Sequence, residues 1–113
     1  MSQNPISPRK TRSYWKIFTE LHPVLLERYC QQVLVELESI QHRKASARER
    51  YFDLDERIYK RTKTIRRIFD DYRRSTAIIH LAAMRQEELL SDADLARFSE
   101  DTQCRIKLVA GEE

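Results

Sequence analysis

Between Arg48 and Leu90, apolar or aromatic residues recur at Tyr51, Leu54, Ile58, Ile65, Ile68, Tyr72 and Ile79. Steps of three, four and seven residues place them on one face of a helix. No glycine or proline interrupts this stretch, so the pattern predicts one long helix over 48–90. Arg57, Lys60, Arg61, Lys63, Arg66 and Arg67 crowd the positions between. So narrow a stripe on so long a helix cannot build a globule alone. It needs a partner helix, from this chain or from another copy. From Thr76 to Met84 the chain reads TAIIHLAAM, apolar nearly all round, which predicts its most buried segment.

Upstream, Tyr14, Trp15, Ile17, Phe18 and Leu21 suit a short helix over 13–21. His22-Pro23 should interrupt it, because proline removes a backbone donor and restricts the residue before it. Pro23 also suits the first turn of a new helix. That helix is expected over 23–42, with Leu26, Tyr29 or Cys30, Val33, Leu37 and Ile40 on one face. Gln41 to Arg50 loses the rhythm and is the candidate connection. Downstream, Ser91 and Asp94 have the spacing of a helix start, and Ser99 offers a second cap. Gly111 sits where a helix end wants a left-handed residue. Residues 91–110 should therefore form short C-terminal helices.

One glycine and three prolines in 113 residues are too few turn formers for an all-β fold. The 35% of charged residues in helical rhythm points to an all-α chain, and its length suits a single domain over 13–111. Met1 to Arg12 is polar, with two prolines and three basic residues, and reads as a disordered basic arm. The net charge of +3 is unevenly spread: Arg43 to Arg74 holds twelve bases against six acids, whereas Glu87 to Glu113 holds eight acids against three bases. The basic middle could meet the acidic end, within or between chains, or an anionic partner. No run approaches transmembrane length and none resembles a signal peptide, so no membrane association is expected. A cytoplasmic protein is the default, with Cys30 and Cys104 as reduced helix-face thiols.

Candidate chemistry is sparse. His22, His42 and His80 fall in unrelated settings, without a metal-ligand set around them. His80, inside the apolar segment, reads as a satisfied core histidine. There is no phosphate-binding glycine loop and no nucleophile motif. The expectation is no enzyme, no catalytic residue, no metal and no cofactor. The strongest polar signal is the basic run of Arg57 to Arg74. It is either a solvated face, with pairs such as Asp53–Arg57 and Asp70–Arg74, or a binding surface. As a binding surface it could take phosphates of a nucleic acid or acidic patches of a protein. Aromatics interleave with the charges at Tyr51, Phe52, Tyr59, Phe69 and Tyr72, a composition shared by protein-interface hot spots and RNA-binding surfaces.

The segment IFDDYRRSTAIIHLAAMRQEELLSDADLARFSEDTQCRIKLV (68–109) resembles the fluorescence recovery protein family. The matching positions are Phe69, Asp70, Asp71, Ser75, Ile78, Ile79, Leu95, Phe98, Gln103 and Ile106. Phe52, Leu54, Glu56 and Ile58 extend the similarity upstream into the family's partner-binding helix. The resemblance implies an all-α fold: a long-helix hairpin with a small C-terminal helical cap, dimerising through the long helices. It also implies a cofactor-free regulator. In cyanobacteria such proteins bind photoactivated orange carotenoid protein, speed its return to the resting state and help detach it from phycobilisomes, a role in photoprotection.

The family's functional patch falls here on altered residues. Its tryptophan position is Phe52, its histidine Asp55, its aspartate Glu56 and its arginine Thr62, with Arg61 and Lys63 beside it. Of these, the acid alone is kept in kind, and one extra residue stands between Asp71 and Ser75. The expectation is a divergent member: a homodimeric regulatory or adaptor protein. Its partner surface would comprise Phe52, Asp55, Glu56, Tyr59, Arg61, Thr62 and Lys63. Its dimer seam would comprise Ile65, Ile68, Phe69, Tyr72 and Ile79. Nucleic-acid binding through the Arg57–Arg74 face is the alternative.

Overall fold

A computed structural model describes the backbone of residues 6–112 and the side chains from Tyr14 onward. The described residues are all-helical: α1 (Ile6–Gln41), α2 (Ala47–Phe69), a 3-10 turn (Arg74–Thr76), α3 (Ala77–Gln86), α4 (Asp92–Leu95) and α5 (Glu100–Ala110). α1 and α2 form an antiparallel hairpin, and α3 to α5 form a cap at its open end, with α3 packed mainly on α5. The molecule measures 70 × 25 × 19 Å, long because α1 alone spans roughly 54 Å at 1.5 Å per residue.

Two helices expected upstream are one. α1 runs through Pro23, which lies on its exposed side. A mid-helix proline costs about 3 kcal/mol. Phe18, Leu21, Leu25 and Tyr29 share one buried face across it, each contributing roughly 1.5–3 kcal/mol by burial, so continuity wins. The expected basic arm lies outside the described residues as far as residue 5. From Ile6 the backbone is already helical.

The long helix expected over 48–90 is instead divided. α2 starts at a capping box, in which the Ser46 hydroxyl accepts from the Glu49 amide and the Glu49 carboxylate accepts from the Ser46 amide. It stops at Phe69, and residues 71–73 are not helical. Long-range contacts account for the break. Tyr72 packs among Trp15, Phe18 and His22, with ring centroids 5.5, 5.7 and 4.7 Å away. His22 Nε2 donates to the Phe69 carbonyl at 2.8 Å, occupying an acceptor that the helix end leaves free. Asp71 accepts from Arg73 at 2.5 Å and faces His80 Nε2 at 3.4 Å. The break folds α3 back onto the hairpin, where Ala77, Leu81 and Met84 join Leu25, Ile68 and Phe69 in the core.

The cap follows its sequence signals. Ser91 and Asp94 form a second capping box, Ser99 caps α5, and Gly111 ends it with φ of 84°. Arg85 ties the cap together, donating to the Leu90 carbonyl at 2.8 Å, Asp92 at 2.7 Å and Glu112 at 2.8 Å. Arg28 fastens the cap to α1 through the Leu89 carbonyl and Asp94. His80 is buried, and Thr76–Met84 is buried except on the Ile79 side.

Candidate interaction surface

The core occupies one end of the hairpin. From Cys30 to Arg67, across the loop and most of α2, no residue is buried. This arm holds Leu34, Val35, Tyr51, Phe52, Ile58 and Tyr59, all among the exposed large hydrophobic residues. Among the described residues no third element covers the second apolar flank of this two-helix arm, and scattered exposure would need no explanation where this concentration does.

One flank is a continuous apolar groove between the two helices. Cys30, Leu34 and Leu37 of α1 line it opposite Ile58, Thr62 and Ile65 of α2. The other flank is polar. Glu36 accepts from Arg61 Nε at 2.9 Å and from a terminal nitrogen at 2.7 Å, and also pairs with Arg57. The Arg61 hydrogen bonds, reinforced by Arg57 and opposed by partial burial, lower the Glu36 carboxyl from 4.5 to about 2. Glu36 raises the Arg61 guanidinium in turn. The Tyr29 hydroxyl, beside Arg61 in this polar pocket, is buried with no hydrogen-bond partner among the described residues.

The residues expected to bind a partner divide into two groups. Phe52, Asp55, Glu56, Tyr59 and Lys63 are exposed on α2. Phe52 and Tyr59 lie two turns apart on one side, and Lys63 Nζ stands 5.3 Å from the Tyr59 ring centre. Arg61 turns inward to Glu36, and Thr62 lines the groove. These two therefore do not share the Phe52–Tyr59 face.

The expected seam divides further. Ile68 and Phe69 are 1% and 3% exposed, packed in the chain's own core. Tyr72 belongs to the joint between α2 and α3, and Ile79 is exposed on α3. Ile65 alone of the five lies in the groove. The one-helix assumption put all five on one stripe, and the break at 70–73 separates them.

The basic run is largely engaged within the chain. Arg57 and Arg61 pair with Glu36, Lys60 with Glu56 at 3.5 Å, Arg67 with Glu87 at 3.5 Å, and Arg73 with Asp71. Arg74 lies 5.6 Å from the Trp15 ring centre. The helical pairs Asp53–Arg57 and Asp70–Arg74 do not form. Asp53 meets Arg43 of the hairpin loop instead, and Arg57 meets Glu36 of α1.

Glu36 was not among the expected site residues. Its signal is an acid inside the apolar run of α1 facing arginines at i and i+4 of α2. Among the described residues, no helix is long and apolar enough to cross a membrane, and no three His, Cys, Asp or Glu side chains converge as a metal set would. Compared with known proteins, the chain matches no family model, no curated protein and no solved structure.

Proposed function

We propose that this chain is a non-catalytic regulatory or adaptor protein that works as a homodimer and binds another protein through the outer face of α2. The arm carries the reading: Cys30 to Arg67 forms a two-helix projection with no buried residue and an apolar groove along one flank. Two such grooves, laid together, bury each other's Leu34, Ile58 and Ile65 and complete a four-helix packing. The outer face, with Phe52, Tyr59 and Lys63, stays free in that arrangement. Its aromatic and cationic make-up suits a protein partner with an acidic surface.

The resemblance to fluorescence recovery proteins supports the same reading, and in a host with an orange carotenoid protein that protein or a homologue is the first partner to test. The changed patch at Phe52, Asp55, Glu56 and Thr62 sets the chain apart from regulators of that kind. Nucleic-acid binding through Arg57–Arg74 has less support, because most of those cations already face a carboxylate or a ring. Retardation assays at two salt concentrations separate the readings. Steeply salt-dependent binding of DNA or RNA favours the alternative, and no binding at low salt removes it. Affinity capture from the native host, with bait altered at Phe52 and Tyr59 as the control, tests the protein partner.

A further inference from the structure

We infer that the polar pocket of the arm is a binding site for a small organic acid, a short-chain monocarboxylate held by Arg61 and the Tyr29 hydroxyl. The pocket measures about 280 Å³. Tyr29, Gln32, Val33 and Glu36 of α1 line it, with Arg61 of α2 and Glu87 at the end of α3.

The observation that points to a ligand is the Tyr29 hydroxyl. Tyr29 is 4% exposed and its oxygen is buried. It stands near enough to Arg61 to help Glu36 hold the charge of the guanidinium, yet no described group meets it in hydrogen-bond geometry. Buried hydroxyls are as a rule satisfied, so this one calls for a partner from outside the chain. Arg61 also has donors left over. Its Nε and Nη2 donate to Glu36, whereas Nη1 makes no hydrogen bond among the described residues. The exposed Gln32 amide is a further donor.

Charge and size select the class. Arg57 and Arg61 pair with Glu36, and Arg67 pairs with Glu87. Three cations thus meet two anions, and one positive charge is left over. A single carboxylate cancels it, and its two oxygens can accept from Tyr29 and Arg61 together. A dianion such as inorganic phosphate brings a second negative charge beside Glu36 and Glu87, which oppose it. Val33 and the Tyr29 ring offer an alkyl chain an apolar contact. The volume, roughly that of nine waters at about 30 Å³ each, limits that chain to a few carbons.

The test uses the full chain at neutral pH and constant ionic strength. It is titrated separately with sodium propionate, sodium chloride and sodium phosphate, while backbone amide and arginine Nε signals are followed by NMR. Propionate should shift the Arg61 Nε signal and the amides of residues 29–36 along a saturable curve, with half-saturation at roughly 1–10 mM. Chloride and phosphate should give smaller shifts that do not saturate. Tyr29→Phe removes an oxygen that bonds no described residue, so the fold should persist. Its propionate affinity should drop about tenfold, the usual loss for a hydrogen bond to a charged group. Gln32→Glu, at an exposed position, adds a negative charge and should also weaken propionate binding. Absence of a saturable propionate shift means that water alone fills the pocket and overturns the inference. Equal affinity for propionate and phosphate overturns it too, as does a Tyr29→Phe protein that binds propionate as the wild type does.

Discussion

Glu36 of α1 accepts a two-pronged hydrogen bond from the guanidinium of Arg61 of α2, at 2.9 and 2.7 Å. It ties the two helices of an arm, Cys30 to Arg67, that has no buried residue of its own. The fork geometry of arginine matches a carboxylate and fixes the hairpin register at that level.

A pH dependence follows. The Glu36 carboxyl is held at about 2, below its ordinary 4.5, chiefly by Arg61. Its contribution is therefore fully present above about pH 5. It falls as the pH drops through 4.5 toward 2, where the folded carboxyl takes up its proton. Glu36→Gln should cost about 1–3 kcal/mol at neutral pH. The gap between variant and wild type should close as the pH approaches 2. Urea unfolding at several pH values checks this, and Asp71 and Asp94, also lowered, cancel in the difference.

Core and surface of α3 should respond in opposite ways. Leu81 is fully buried, and Leu81→Ala should cost about 2–5 kcal/mol through loss of contacts and a cavity. Ile79, two positions away, is 59% exposed. Ile79→Asp should change stability by no more than about 0.5 kcal/mol. From sequence alone, the same change would be expected to bury an unpaired charge. Thermal unfolding of the two variants decides between the helical stripe and the observed placement.

The outer face should be separable from the groove. Phe52→Ala with Tyr59→Ala should leave the mass and melting temperature unchanged, because both rings are exposed. The same pair should lose more than half of any partner retained by the wild type in a capture assay, as interface aromatics do. Lys63→Glu should weaken capture further and reduce its salt sensitivity.

Much of the fold was legible in the sequence. The all-helical class, the serine caps at Ser91 and Ser99 and the Gly111 terminator rest on local signals, and local signals survive folding; the Ser46 cap of α2, inside the expected connection 41–50, was passed over. Two boundaries were not legible for one shared reason. Pro23 suggests a break where burial of Phe18, Leu21, Leu25 and Tyr29 keeps the helix whole. Asp70–Arg73 suggests continuity where Trp15 and His22, some fifty residues upstream, pull Tyr72 and the Phe69 carbonyl out of line. In both cases distant packing overrides local preference. The surface suffered the same way. Periodicity shows that Phe52 and Tyr59 share a face, but it cannot show that Arg61 turns inward to an acid in another helix.

The central claim is that the arm is built to pair with its own kind. Light scattering across the micromolar range tests it most directly, on the wild type and on Ile58→Asp. The wild type should scatter at twice the 13.6 kDa chain mass, and the variant as a folded monomer. A wild type that stays at 13.6 kDa throughout contradicts it.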